Sequence, residues 1–281
     1  MKWLGQRFCL LLLLLLAISS TALAGKEELL QQCIQAKDRG EHQQSVAFCT
    51  QALAMDPNYL DALYWRSHSQ IKLGNLNAAI TDLSLVLQIQ PLDSEAWSNR
   101  AAAYRRLGNL PQALSDINRA LEIDPKFWIC YMTRGRIFVQ LNRHAEAVDD
   151  YTRVIENTPQ LPMVFYHRGQ SYAALGRYED AIADYSREIA NSPRNELAFY
   201  TRGNSLVALN RFSEAIADFT RAIELNPRYG EFYFSRGWAN EKLGRRSEAV
   251  LDYQQYLALN QDNNEAKKKF AADYVAKNGV R

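Results

Sequence analysis

The sequence predicts an all-α protein of seven stacked helix pairs, and three rows of residues sharing one interval carry that prediction. Six of its eight prolines, Pro57, Pro91, Pro125, Pro159, Pro193 and Pro227, stand 34 residues apart. Turn residues repeat at the same interval: Gly40, Gly74, Gly108, Asn142, Gly176, Asn210 and Gly244. So do the small residues Ser45, Ala79, Ala113, Ala147, Ala181, Ala215 and Ala249. A period in this range marks a solenoid, whose units bury a core only by stacking on their neighbours.

Within one unit the elements follow in order. The first helix runs to a leucine followed by Gly or Asn, the residues that tolerate the left-handed conformation ending a helix. The second helix carries the small residue five positions past the turn. Four positions on comes an apolar row, Cys49, Leu83, Ile117, Tyr151, Tyr185, Phe219 and Tyr253, so both rows share one helical face. Proline then closes the unit, because it pushes the residue before it out of helical geometry. Pro111 falls elsewhere, where it suits the first turn of a second helix. The alternating hydrophobicity of strands is absent.

These rows resemble the tetratricopeptide repeat, a 34-residue helix–turn–helix with small, aromatic and proline markers. The resemblance implies a right-handed superhelical solenoid of seven repeats, at 26–59, 60–93, 94–127, 128–161, 162–195, 196–229 and 230–263. Gln261 stands where a seventh proline is expected, and the first unit lacks several markers; atypical ends are what a finite stack requires. A capping helix over 264–281 follows, with Ala266, Phe270 and Tyr274 on one stripe beside Ala271 and Val275. The run Lys267, Lys268, Lys269 reads as its solvated face.

Residues 1–24 read as a secretory signal peptide: Lys2 and Arg7, an apolar run from Phe8 to Ile18, then Ala22-Leu23-Ala24. Export to a periplasm is favoured over a secreted or lumenal location. Retention as an uncleaved anchor is the alternative, and the one membrane association the sequence offers. Of 33 Lys and Arg, two lie in the first 25 residues and no acidic residue does, leaving 31 basic against 31 acidic. A neutral chain lacks the positive excess that phosphate neutralisation requires, so nucleic acid is not an expected partner.

Two further rows keep the register. Arg66, Arg100, Arg134, Arg168, Arg202 and Arg236 are each followed sixteen residues later by Asp82, Asp116, Asp150, Asp184, Asp218 and Asp252. Antiparallel helices bring such positions to similar heights, which suggests structural ion pairs rather than a charged binding ladder. The first unit has Gln32 and Phe48 in these slots, so both charges vanish together. Cys33 and Cys49 are also sixteen apart, and read either as a disulfide in an oxidising compartment or as two buried thiols. Cys130 reads as a buried free cysteine.

In tetratricopeptide proteins the first helices line a concave groove. By that resemblance one groove row is Leu30, Tyr64, Ser98, Met132, Tyr166, Tyr200 and Phe234. A second is Ile34, His68, Ala102, Arg136, Gln170, Asn204 and Trp238. Met132, Arg136, Tyr166, Gln170, Tyr200, Asn204, Phe234 and Trp238 form the candidate peptide groove, aromatic anchors with amides, one arginine and one methionine between them; packing between neighbouring first helices is the competing account of the same aromatics. The four histidines, His42, His68, His144 and His167, include no helix-spaced metal pair, and no phosphate loop or nucleophile elbow appears. No cofactor, metal or catalysis is expected. The expected function is a protein-interaction scaffold whose partner is a protein or peptide. The alternative is a structural or self-associating homo-oligomeric part of an envelope assembly.

Overall fold

The computed structural model describes residues 25–259 and 264–279, so the signal segment 1–24 and the end of the seventh repeat lie outside the described residues. All described secondary structure is helical. The helices are α1 (25–38), α2 (His42–Met55), α3 (Leu60–Leu73), α4 (Leu76–Ile89), α5 (Ser94–Arg106), α6 (Leu110–Ile123), α7 (Trp128–Gln140) and α8 (His144–Asn157). They continue with α9 (Val164–Ala174), α10 (Tyr178–Asn191), α11 (Glu196–Ala208), α12 (Phe212–Leu225), α13 (Gly230–Lys242), α14 (Arg246–Leu259) and α15 (Glu265–Asn278). The chain parts into two compact units, the first ending at Ile137 and the second beginning at Phe138.

Backbone geometry follows the sequence markers. Every Gly or Asn of the turn row has positive φ, from 58° at Asn142 to 83° at Gly74. Every residue before a periodic proline leaves helical geometry, with φ from −124° at Gln90 to −143° at Asp56 and positive ψ, so each second helix stops there. Pro111 sits in the first turn of α6. Helix α9 is the exception: it begins five residues after Pro159, whereas α3, α5, α7, α11 and α13 begin three after theirs. Met163 takes a left-handed conformation at its start, φ 66°.

Consecutive helices pack from α2 to α6 in the first unit and from α8 to α15 in the second, and first helices of successive hairpins also touch, α3 on α5 in the first unit and α9 on α11 and α11 on α13 in the second. Small residues set the closeness of approach. A Cβ on Gly203 would lie 2.6 Å from the Phe219 ring, and one on Gly169 2.8 Å from Tyr185. The equivalent slots hold Ser67 with Leu83 and Ala101 with Ile117, so a smaller apolar partner accompanies each larger residue on the first helix. In the first hairpin these slots hold Cys33 and Cys49, which the structure joins by a disulfide with Cα atoms 5.4 Å apart.

The arginine row is tied on two sides. Arg66, Arg100, Arg168, Arg202 and Arg236 each grip the aspartate of their own hairpin through Nε and Nη2, at 2.7–3.2 Å. The aspartates are 4–5 % exposed. Each arginine also donates Nη1 to a hydroxyl of the preceding hairpin: Thr50, Ser84, Thr152, Ser186 and Thr220, at 2.9–3.2 Å. Thr50, Ser84 and Ser186 spend their own protons on carbonyls four residues back, which leaves a lone pair for the guanidinium. Arg134 belongs to the first unit, where it donates to Asn118 at 2.9 Å. Asp150 belongs to the second, where it is buried.

Helix α15 caps the second unit differently from the expected stripe. Ala271 is fully buried, Tyr274 packs on Tyr253 with centroids 5.1 Å apart, and Ala266 is exposed. Lys267 is not on the solvated face: it is half-buried and ion-pairs with Glu231 at 2.6 Å.

Removing one partner of a bridge leaves the other buried and uncompensated, so Arg168→Ala and Asp184→Ala should each cost about 3–5 kcal/mol, and the double variant far less than their sum. Additive losses in urea unfolding would contradict the pairing. Gly203→Ala should destabilise by about 1–3 kcal/mol because the Phe219 ring is fully buried and cannot yield, outweighing the roughly 1 kcal/mol helix-propensity gain. Adding Phe219→Ile, which recreates the Ala101–Ile117 combination, should restore most of that loss.

Candidate functional site

Four of the candidate groove residues come together. Tyr200 and Asn204 on α11, and Phe234 and Trp238 on α13, line one cleft of about 250 Å³ with Val207, Glu231, Ser235 and Lys267. Spacings of four on each helix aim these pairs at the same face. The rings are held from behind. Tyr200 rests on Phe232 at 5.0 Å, Phe234 on Tyr256 at 5.1 Å, and Trp238 on Phe212 at 5.9 Å between centroids. All three stay partly exposed toward the cleft.

The polar groups of this cleft are unengaged or shared. The Asn204 amide, the Tyr200 hydroxyl and the Trp238 Nε1 make no side-chain hydrogen bond among the described residues. Two cations stand over the aromatic faces: Lys267 Nζ lies 5.2 Å from the Phe234 centroid and Lys242 Nζ 4.8 Å from that of Trp238. Lys267 was missed from the sequence because a three-lysine run on a terminal helix has no register signal to single out one member.

The other candidates sit apart from the cleft lining. Tyr166 is buried; Gln170 Nε2 donates to its hydroxyl at 3.2 Å, and burial pushes the phenol above its ordinary range. Its ring meets that of Tyr185 at 5.9 Å, so packing accounts for this member of the row. Met132 and Arg136 lie in the first unit, Met132 buried and Arg136 exposed.

In the first unit Tyr64 of the first row joins a polar network with Glu95 and Asn99, which lie outside both rows. Tyr64 donates its hydroxyl proton to Glu95 at 2.9 Å and accepts from Asn99 at 3.0 Å. Burial and the Glu95 carboxylate push its phenol up to about 12. Burial, then Lys72, Lys37 and His42, hold the His68 imidazole below its ordinary range. Cys130 is fully buried, and burial pushes its thiol up to about 11, which keeps it unreactive. Among the described residues no cluster of three metal-ligating side chains occurs, and no helix is long and apolar enough to cross a membrane.

Family profiles described as tetratricopeptide repeat match residues 36–103, 94–127, 132–196 and 200–264. Among solved structures, a tetratricopeptide repeat protein from Parabacteroides merdae is 20% identical at a TM-score of 0.65, covering 90% of this chain and 99% of that one. PilW, a type IV pilus biogenesis factor, is 19% identical with TM-score 0.67, over 75% of this chain and 97% of its own. YrrB, which has an unusual peptide-binding site, is 18% identical with TM-score 0.59, over 68% and 97%. At these identities the likenesses establish the fold alone. No curated protein matches the sequence.

A histidine with a depressed folded-state pKa stabilises the fold above its unfolded value near 6.5, and that contribution is lost as pH falls through the folded value. His68 should therefore titrate with a midpoint below 6.5 in an NMR pH series. A midpoint at or above 6.5 would contradict the burial and charge arrangement around it.

Proposed function

Because the chain belongs to the tetratricopeptide-repeat family, a family of protein-interaction scaffolds, we propose that it binds an extended peptide segment of another protein in the cleft between α11 and α13. One observation carries this reading. Three partly exposed rings enclose a cleft in which an amide, a phenol and an indole N–H have no side-chain partner among the described residues. A peptide backbone supplies donors and acceptors for such groups, while its side chains fill the apolar floor. The rings are rigidly backed by Phe232, Tyr256 and Phe212, so ordering them on binding costs little entropy. YrrB, of the same fold, carries a peptide-binding site, which is consistent with this use of the scaffold.

The place of action in this proposal is outside the cytoplasm, in a periplasm or in a secreted or lumenal space. The supports are the basic-then-apolar segment at 1–24 and the joined pair Cys33–Cys49, since disulfides persist in oxidising compartments. The scaffold acts by binding and carries no chemistry of its own.

Tyr200→Ala combined with Trp238→Ala should abolish capture of the partner from the cell envelope while leaving helical content unchanged by circular dichroism. Retained capture would overturn the site. A wild-type protein that runs as a dimer, and a double variant that runs as a monomer in size-exclusion chromatography, would instead assign the cleft to self-association.

A further inference from the structure

A larger cavity of about 640 Å³ shares no lining residue with the aromatic cleft. It opens at the α8–α9 connection because α9 starts late: Pro162 and the left-handed Met163 occupy what is the first turn of the other first helices. The missing turn uncovers the C-terminal half of α10.

Glu188 of α10 lines this cavity and is 2 % exposed. Its slot holds Ala52, Val86, Ala120, Val154, Ala222 and Tyr256 in the other repeats. A carboxylate has replaced an apolar side chain at the one hairpin whose neighbouring turn is missing. Its hydrogen bond is a long one, 3.4 Å from Asn195 Nδ2, and it joins no ion pair among the described residues. Asn195 Nδ2 is shared with Met163 Sδ, also at 3.4 Å, while its Oδ1 accepts from Ala198 N at the start of α11. The other charged wall residue, Arg187, is exposed, and its guanidinium sits 6.0 Å from the Phe165 ring rather than on Glu188. A buried carboxylate without a cation is unfavourable, and a cation entering beside it relieves that cost.

We propose that this notch binds an alkyl cation, an ammonium or guanidinium on an aliphatic stem. Glu188 supplies the counter-charge. Pro159, Leu161 and Phe165 supply the apolar walls that a stem of several methylenes requires. Phe165 adds a ring face of the kind that attracts cations, as the position of Arg187 illustrates. The retained carboxylate is then a stability cost kept for binding, since alanine fits the same slot three times in this chain.

The purified protein, with methyl groups of Met and Ala labelled, is titrated in NMR with N-acetyl-lysine methylamide, N-acetyl-arginine methylamide, 1,5-diaminopentane and the uncharged N-acetyl-norleucine methylamide. Saturable shifts of the Met163 and Ala190 methyls are expected with a cationic probe, with at least tenfold weaker binding of the norleucine compound. Glu188→Gln should remove the response. Glu188→Ala should also remove it while keeping or raising Tm. Saturation by the amino-acid amides alone assigns the cation to a side chain of a protein; saturation by the diamine alone assigns it to a free amine. Equal binding of the norleucine compound, unaltered binding by Glu188→Gln, or no shift with any cation overturns the proposal. So does a lowered Tm in Glu188→Ala without ligand response, which would make Glu188 a structural support for Asn195. A lowered Tm in Arg187→Gln without ligand response overturns it too, by making Arg187 the resident counter-ion.

Discussion

Five arginines of the row, Arg66, Arg100, Arg168, Arg202 and Arg236, are each held by two hairpins at once, and the register of their neighbours depends on that double grip. The aspartate of its own hairpin takes Nε and Nη2, and a hydroxyl one hairpin earlier takes Nη1. A guanidinium suits this role because its donors lie in a fixed plane with fixed directions; a lysine cannot aim at both partners. The pair is worth little as an isolated attraction once desolvation is counted. Its effect is to make a shifted or rotated neighbour costly, since a slipped hydroxyl would leave a buried donor unmet. Stability in such a chain is a sum of hairpin and nearest-neighbour contributions, and this contact belongs to both.

The ends of the row show what replaces the grip. Gln32 and Phe48 stand in the charged slots, and the Cys33–Cys49 disulfide ties the two helices one position further along. At the other end Phe270 occupies the arginine slot on α15, where its ring meets Tyr253 at 5.7 Å and Phe234 at 6.1 Å. On α15 an apolar ring thus stands where the regular hairpins carry the coupling arginine.

Because packing is carried by the small-residue, aromatic and arginine rows, the remaining first-helix positions are released from it to different degrees. Tyr166 has been drawn back into the core, while Tyr200, Phe234 and Trp238 are backed by packing yet still face the cleft. The cleft therefore combines a rigid floor with unengaged polar edges. The α8–α9 junction departs from the pattern in two coupled ways, a lost first turn and a buried acid. Neither would be tolerated by the regular hairpins, whose equivalent slot is filled by apolar side chains.

Periodicity in the sequence was sufficient for the helices, the left-handed turns and the breaks before proline, because these follow from the local preferences of Gly, Asn and Pro. The rows in which a groove would be sought came from the resemblance to the tetratricopeptide repeat rather than from the period itself. It could not separate Tyr166 from Tyr200, since exposure is set by how neighbouring helices lean rather than by register. The Nη1 contact to the preceding hairpin, the place of Lys267 over Phe234, and the burial of Glu188 are likewise products of helices meeting across the stack. Local chemistry determined the hairpin; the contacts between hairpins decided which side chains remain available, because availability is a property of what lies opposite.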